Sequence, residues 1–266
     1  MITCKELAQQ IKDNVKKEIE MLSEWGRPDL AILTNNLPDG ERYIRNKIKV
    51  AEEVGIKATV YDFMNIPLHN LKSKILDLNE VGIIIQLPYT GSKHLDKILV
   101  NHIPLCQDVD GLKGCLTPAT AKGVFKYLQA NDIINGKNIV VIGRSELVGM
   151  PLTKLLLNTD ATVTMCHSKT NNLFQHIKNA DVIVCAVGVC NFIKPDMLDN
   201  TKEYHIVDVG INFDNGKMCG DVSQAVKDMP NVIATPVPGG VGLLTTACLM
   251  ENAFELFKLR LPSSFE

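Results

Sequence analysis

The fold of this chain is decided by residues 140–151, which read VVIGRSELVGMP. An apolar run typical of a buried strand passes into a glycine turn and then into the start of a helix. Backbone N–H groups and the helix dipole bind phosphate at such a turn. The segment lacks the middle glycine of the G-x-G-x-x-G pattern, so an ordinary strand–helix turn remains an alternative on these residues alone.

Strands alternate with amphipathic helices on both sides of that stretch. Predicted strands lie at 30–33, 58–63, 82–87, 138–142, 162–166, 182–187 and 205–209. Predicted helices lie at 3–26, with Thr3 as the cap, and at 41–54, 71–78, 148–157 and 173–180. Strand 82–87 is apolar on both faces, as a sheet covered on both sides requires. The alternation predicts an α/β fold with parallel sheets.

Residues 108–123 show no sustained periodicity and carry several glycines and prolines, so we place a domain boundary there. We expect an N-terminal α/β catalytic domain over 1–113 and a Rossmann-like, parallel-sheet cofactor domain over 114–266. The stretch from Leu243 to Leu259 is helical in pattern. We expect this helix to pack back on the first domain.

Composition excludes several classes of protein. Of the 266 residues 45% are hydrophobic and 22% charged, which excludes disorder, and the net charge of −2 argues against a nucleic-acid partner that needs a basic surface. The longest apolar runs have the length of strands, so no membrane partner is expected. There is no signal-peptide pattern. The eight cysteines include no C-x-x-C pair and no zinc-like cluster. We interpret them as reduced thiols of a cytoplasmic protein that holds no metal.

The second strand of the cofactor series favours NADP over NAD. NAD-binding folds place a carboxylate against the ribose 2′-hydroxyl about 20 residues after the glycine turn, and this chain has CHSKT at 166–170 instead. Arg144 stands on the turn itself. A cation with hydroxyl groups suits a 2′-phosphate, which an acid would repel. His167 is either a ligand or a strand-end histidine with a packing role.

Four polar residues of the first domain are candidates for chemistry. Tyr43 and Lys47 are four residues apart and share a helix face, although a solvated face is the alternative. Gln86 is the polar residue at the carboxyl end of an apolar strand, where open α/β sheets bind ligands; a buried amide satisfied by backbone is the alternative. Asp110 lies in the sequence DVDG at 108–111, which is also a common turn motif.

The loop at 235–242, TPVPGGVG, indicates ligand contact. Two prolines stiffen it, and its glycines allow the backbone to approach a flat group closely. The loop directly precedes a helix that carries Thr245 in its first turns.

In this order the motifs resemble those of the bifunctional methylenetetrahydrofolate dehydrogenase/cyclohydrolase family. The resemblance runs nearly end to end, through Tyr43-x-x-x-Lys47, QLP at 86–88, DVDG at 108–111, GRS at 143–145 with VGMP at 148–151, HSKT at 167–170, DVGIN at 208–212, GDV at 220–222 and PVPGGVG at 236–242. It implies oxidation of 5,10-methylenetetrahydrofolate with NADP, followed by hydrolysis of the methenyl compound to 10-formyltetrahydrofolate. These reactions belong to one-carbon metabolism and support purine biosynthesis.

The resemblance also implies roles for residues. Lys47 would be the key catalytic group, in a cleft between the two domains, with Gln86 beside it; Tyr43 would stack on the aminobenzoate ring and Asp110 would hold the pterin. Further substrate contacts would come from Leu87, Pro238, Gly239, Gly240 and Val241. Cofactor contacts would come from Gly143, Arg144, Ser145, Ser168, Ile211 and Thr245. Family members form homodimers through the cofactor domain, which implies a homodimer here.

The chain departs from the family pattern in four places. Gly40 replaces a serine three residues before Tyr43, PYT at 88–90 replaces a proline-rich strand end, the segment 112–117 is short, and Leu243-Leu244 replaces Pro-Met. Two alternatives therefore stay open. One is a dehydrogenase of the same architecture with weak or absent cyclohydrolase activity, or with a related small substrate. The other is a folate- or dinucleotide-binding protein without turnover.

Overall fold

The computed structural model describes residues 1–35, 38–64, 66–214 and 216–262. These residues form two compact units. The described residues within 9–119 and 246–262 make up one, called here the three-stranded unit. Residues 1–8 and 120–245 make up the other, the five-stranded unit. Both units are therefore built from two separate pieces of the chain.

The three-stranded unit is a small parallel sheet with helices. Its elements are most of α1 (Cys4–Met21), β1 (Asp29–Thr34), α2 (Pro38–Val54), β2 (Lys57–Asp62), α3 (Leu68–Leu76), β3 (Gly82–Ile85) and α4 (Lys93–Asn101). The strand order is β2-β1-β3, and both pairings are parallel. Every residue of β3 is buried, which the doubly apolar pattern predicted.

The start of α1 follows the predicted cap. The backbone N–H of Glu6 donates to Thr3 Oγ1 at 3.2 Å, and the N–H of Thr3 donates to Glu6 Oε2 at 2.8 Å. This reciprocal pair is a capping box, which satisfies two N–H groups that a helix start leaves open.

The last helix, α9 (Val241–Leu259), contributes its residues from Thr246 onward to the three-stranded unit. Asn252 is completely buried there and donates to the carbonyls of Val109 at 2.9 Å and Thr117 at 3.0 Å. Just beyond the helix, Arg260 donates to the carbonyl of Glu80 at 2.8 Å. The predicted packing of this helix against the first domain is confirmed.

The five-stranded unit alternates strands and helices as predicted. Its elements after residue 119 are α5 (Ala119–Ala130), β4 (Asn138–Ile142), α6 (Gly149–Leu156), β5 (Thr162–Cys166), α7 (Leu173–Asn179), β6 (Val182–Cys185), β7 (Tyr204–Asp208), β8 (Asn212–Asp214), β9 (Lys217–Cys219), α8 (Gln224–Lys227) and β10 (Val232–Ala234). The main sheet has the order β10-β7-β6-β4-β5, and all its pairings are parallel.

The strand order of this sheet reverses at β4. From β4 the chain moves outward to β5 and then returns to β6 on the other side. Open parallel sheets bind ligands at such a switch point, in the crevice beyond the carboxyl ends of the strands. The α/β, Rossmann-like fold predicted from the alternation is confirmed.

Two strands end two residues earlier than predicted. The strand predicted over 82–87 ends at Ile85, with one more ladder bond from the N–H of Gln86 to the carbonyl of Leu33 at 2.9 Å. The strand predicted over 182–187 ends at Cys185, with one more ladder bond from the N–H of Ala186 to the carbonyl of Ile142 at 2.8 Å. The next two N–H groups turn toward a buried carboxylate. Helix α5 begins inside the segment that had no sustained periodicity.

The prediction of reduced thiols is wrong for one pair. Cys190 and Cys219 form a disulfide, with their Cα atoms 5.8 Å apart. The other six cysteines lie outside this disulfide: Cys4, Cys166, Cys185 and Cys248 are buried, whereas Cys106 and Cys115 are exposed. Within the described residues, no helix is both long enough and apolar enough to span a membrane.

Candidate active site and nucleotide cleft

The glycine turn after β4 brings two backbone segments into contact. Gly143 has φ +117°, and a Cβ at this position would overlap the carbonyl oxygen of Ala186, which follows β6. Only glycine fits both requirements. The turn therefore lies at the switch point itself, between the carboxyl ends of β4 and β6.

A cleft of about 610 Å³ opens beside this turn. Its lining comes from the ends of three neighbouring strands and the segments after them: Ile142, Gly143, Arg144, Ser145, His167, Ser168, Thr170, Leu173, Ala186, Val187, Val189 and Phe192. Four of the six predicted cofactor residues are in this set. The other two, Ile211 and Thr245, lie in the same unit but outside the lining.

The polar lining of the cleft suits a phosphorylated ribose. Arg144, Ser145 and Ser168 are exposed there, and none of the described residues that line the cleft carries a carboxylate. His167 also lines it, and its Nδ1 atom accepts the N–H of Lys169 at 3.2 Å, so His167 orders the turn that carries Ser168. Since a 2′-phosphate needs donors and no nearby acid, the residues present fit NADP.

A second polar group lies in the three-stranded unit, around Lys47. Helix α2 carries Tyr43 and Lys47 one turn apart, and both are partly buried. The Nζ atom of Lys47 donates to Oε1 of Gln86 at 2.9 Å, and Nε2 of Gln86 donates to the carbonyl of Leu87 at 2.9 Å. The Leu87 carbonyl fixes the orientation of the amide, which therefore presents its oxygen to the lysine.

Charge and burial change the pKa values of Lys47 and Asp110 in opposite directions. Burial lowers the pKa of Lys47, while the Asp110 carboxylate opposes that change. Burial raises the pKa of Asp110, and the charge of Lys47 opposes that change in turn. Burial favours the neutral form of both groups, so each can hold or release a proton closer to neutral pH than in water.

The neighbouring carboxylate has a structural task. Asp108 is fully buried and accepts the backbone N–H groups of Gly111 at 3.2 Å and Lys113 at 2.7 Å. Asp108 therefore shapes a turn, which is the structural role that the DVDG motif also suggested. Asp110, on the same turn, is the carboxylate that interacts with Lys47.

The proline-glycine loop ends at the start of α9, in the five-stranded unit. Pro238 and Gly239 are exposed, whereas Gly240 and Val241 are buried. Thr245 donates to the carbonyl of Val241 at 3.1 Å and so braces the first turn of the helix. A Cβ at Gly242 would lie 3.7 Å from Cδ1 of Ile211, so the loop and Ile211 are neighbours.

Two family models match almost the whole sequence. Residues 2–110 match the catalytic domain of tetrahydrofolate dehydrogenase/cyclohydrolase, and residues 118–261 match its NAD(P)-binding domain. The chain belongs to the tetrahydrofolate dehydrogenase/cyclohydrolase family.

Relatives in this dehydrogenase/cyclohydrolase family cover the chain almost completely. The bifunctional protein FolD of Nitrosomonas europaea is 39% identical over 94% of this chain and 90% of its own. That of Bacillus subtilis is 37% identical over 97% of both chains. These similarities therefore span both halves of the protein.

Solved structures of the same family agree with the fold. The bifunctional enzyme FolD of Campylobacter jejuni aligns with a TM-score of 0.86 and 36% identity, over 97% of this chain and 98% of its own. The Trypanosoma brucei methylenetetrahydrofolate dehydrogenase-cyclohydrolase, solved with NADP and an inhibitor, aligns with a TM-score of 0.85 and 29% identity, over 98% of both.

Sequence reasoning missed one wall of the cleft beside Gly143. Val187, Val189 and Phe192 line it, but none was a candidate. Their position was a usable signal, because they follow a strand buried on both faces, at the edge of the sheet where ligands bind. Asp221 belongs to the GDV motif at 220–222, to which sequence reasoning assigned no role. Its side chain binds the backbone N–H groups at the start of this wall.

Proposed function

We propose that Lys47 is the key catalytic group of this enzyme. The protein is an NADP-dependent methylenetetrahydrofolate dehydrogenase and methenyltetrahydrofolate cyclohydrolase, and the family models match nearly all of the chain. The observation that carries the assignment of Lys47 is its hydrogen bond to Gln86 beside the Asp110 carboxylate.

The oxidation needs positioning more than proton transfer. Bound NADP supplies a hydride acceptor. We assign Gly143 to the approach of the dinucleotide pyrophosphate and Arg144, Ser145 and Ser168 to the 2′-phosphate, because these residues line the cleft without a carboxylate among them. Ile211 and Thr245 are further proposed cofactor contacts. Loss of hydride leaves a cationic methenyl carbon on the folate.

The hydrolysis needs a base for the attacking water. Burial lowers the pKa of Lys47, so its Nζ atom can be neutral and accept a proton from water as the C–O bond forms. Gln86 orients Nζ without adding charge. Asp110 offers an acceptor for the N–H groups of a pterin, and the ring of Tyr43 offers a face for the aminobenzoate group. Leu87 and the loop residues Pro238, Gly239, Gly240 and Val241 are proposed as further folate contacts.

Separate assays of the two steps test this assignment. Purified protein is incubated with methylenetetrahydrofolate and NADP, and methenyl hydrolysis is followed independently without dinucleotide. In Lys47→Met we expect hydrolysis to fall by about 10²–10⁴-fold, the usual contribution of a positioned proton-transfer group, with folate binding retained. Lys49→Met is the matched control, because Lys49 is exposed two residues along the same helix. Equal rates in both variants would overturn the assignment.

A specific observation favours the second candidate, a dehydrogenase with weak hydrolysis. Position 40 has no side chain, and a Cβ there would lie 3.3 Å from Cγ of Gln86. The family serine would therefore place a hydroxyl next to the amide that orients Lys47. If the absence of this serine hydroxyl limits hydrolysis, Gly40→Ser raises the ratio of the hydrolysis rate to the oxidation rate. The non-catalytic alternative requires that unmodified protein binds folate and NADP but turns over neither substrate.

We also propose a homodimer and a cytoplasmic location. The strand β5 forms one end of the main sheet and is partly exposed, which leaves an edge that a second copy could cover. Light scattering over a concentration series tests the dimer, and a single monomeric mass throughout would overturn it. Cell fractionation with a dinucleotide-dependent assay tests the location.

A further inference from the structure

One wall of the nucleotide cleft is a segment without helix or extended strand pairing. Residues 187–193 follow β6, and their side chains at Val187, Val189 and Phe192 line the cleft. The one sheet-like contact of this segment in the described chain is an isolated parallel bridge between Ile193 and Val222. Its position must therefore be set by other interactions.

The Cys190–Cys219 disulfide and a bond from the N–H of Asn191 to the Gly220 carbonyl at 3.1 Å hold the middle of the segment. A single carboxylate holds its start. Asp221 has no exposed surface, and its Oδ2 atom accepts the backbone N–H groups of Val187 at 2.7 Å and Gly188 at 3.0 Å. Its Oδ1 atom accepts the N–H of Val189 at 2.9 Å. Three consecutive N–H groups thus converge on one anion, the arrangement known as a nest. The Nδ2 atom of Asn212 also donates to Oδ1, at 2.9 Å.

The backbone of Asp221 is itself held by a second buried carboxylate. Oδ1 of Asp208 accepts the N–H of Asp221 at 2.8 Å, and Oδ2 accepts that of Val222 at 3.2 Å. The charge of Asp208 is matched by Lys227, whose Nζ atom lies 2.7 Å from Oδ2. Asp221 is therefore fixed from both its side chain and its main chain.

The surrounding chain leaves room for this carboxylate. A Cβ at Gly210 would overlap Oδ1 of Asp221, so any larger residue there would displace the acceptor. Asp221 does not line the cleft, and its side-chain oxygens are used by N–H groups of the protein. Its effect on a ligand must pass through residues 187–189.

We propose that Asp221 is a positioning residue for the dinucleotide, acting through the wall formed by residues 187–193. Hydrogen bonds to an ionised acceptor are about twice as strong as neutral ones, and three on adjacent residues hold the segment in one conformation. A neutral amide at position 221 would direct its own N–H at one of these donors and release part of the wall. The inference rests on the proposed use of this cleft by NADP.

The test compares NADP binding with methenyl hydrolysis, which needs no dinucleotide. In Asp221→Asn we expect the Kd for NADP from calorimetry and the KM for NADP to rise about tenfold, equivalent to about 1.4 kcal/mol. The kcat of oxidation at saturating NADP and the rate of hydrolysis should stay within about twofold, since the change is confined to dinucleotide binding. Asp228→Asn is the matched control, because this carboxylate is exposed a few residues away.

The outcomes separate a role of Asp221 in positioning the dinucleotide from a general structural role. An unchanged Kd for NADP in folded Asp221→Asn overturns the inference, and so does a parallel loss of hydrolysis and oxidation, which marks a general structural role. If Asp221→Asn does not fold, Asn212→Ala removes a single donor, and a rise of about twofold in Kd is expected; no rise overturns the inference. Unmodified protein that binds no NADP would instead refute the proposed function of the cleft.

Discussion

The Nζ atom of Lys47 lies 2.9 Å from Oε1 of Gln86, and the opposite end of that amide is bound to the Leu87 carbonyl. An amide held in this way can act only as an acceptor toward the lysine. It fixes the direction of Nζ but, unlike a carboxylate, does not strongly favour the protonated amine. Burial can therefore lower the pKa of Lys47 while the amine stays oriented.

Replacing this amide by an acid tests that relationship. In Gln86→Glu a second carboxylate faces Lys47, so the pKa of Lys47 rises and less of it is neutral at a given pH. If neutral Lys47 is the base, the rise of hydrolysis rate with pH moves to higher pH. Rates measured between pH 6 and pH 10 show the shift, and exposed Gln129→Glu serves as the control. If the hydrolysis rate of Gln86→Glu rises over the same pH range as that of the unmodified protein, or at lower pH, neutral Lys47 is not the base.

We predict that Asp110 lowers the stability of the folded protein while it contributes to folate binding. Because burial raises its pKa above the usual 3.8, the folded state favours the protonated acid, and that contribution to stability is lost as pH rises through the folded-state pKa. Asp110→Asn removes the penalty on the charged form. We expect its thermal midpoint at pH 7 to exceed that of the unmodified protein by a few degrees, with the difference shrinking toward pH 4, and its folate KM to rise.

Scanning calorimetry at several pH values checks this prediction. Exposed Asp228→Asn should leave the midpoint unchanged across the same range. Lower stability of Asp110→Asn at pH 7 would show that the charged carboxylate stabilises the folded protein.

Charge reversal at Arg144 should change cofactor preference. An acid at this exposed cleft position repels a 2′-phosphate but tolerates a ribose hydroxyl. In Arg144→Glu we expect the ratio of kcat/KM for NADP to that for NAD to fall by about 10–100-fold. Lys154→Glu makes the same charge change at an exposed residue of α6 outside the cleft lining. An unchanged ratio would exclude Arg144 from phosphate recognition.

The Cys190–Cys219 disulfide predicts a thiol count. Titration of the denatured protein without reductant should give six thiols, matching the six cysteines outside the disulfide, and titration after reduction should give eight. Disulfides are rare in a reducing cytosol, so rapid alkylation in cells also bears on the proposed location. Eight thiols without reductant would show that the pair is reduced in the isolated protein.

Local patterns were sufficient for most of the fold. The bounds of β4 and β5 match the predicted strands residue for residue, because apolar runs flanked by turn residues mark both ends. The whole of α5 (Ala119–Ala130) was missed, since Gly111, Gly114 and Pro118 before it and Gly123 within it hide its periodicity. Short strands such as β10 carry too few residues for any pattern to be visible.

The candidate site was predictable where a residue's own neighbours define it. Lys47 and Tyr43 share a helix face by spacing alone, and Gln86 stands at a strand end. The role of Asp221 depends on N–H groups more than thirty residues away in the chain, which no local pattern shows. The disulfide is missed for the same reason, because Cys190 and Cys219 are brought together by the same pairing of distant segments.

Each unit consists of two separate pieces of the chain, which has a consequence for biosynthesis. The five-stranded unit needs the first eight residues as well as 120–245, and the three-stranded unit needs residues from 246 onward. Buried Asn252 supplies donors to carbonyls that were translated long before it. A nascent chain still attached to its ribosome therefore lacks the closing piece of the three-stranded unit, although residues 9–119 of that unit were made early. A premature stop codon near the end would leave the three-stranded unit incomplete.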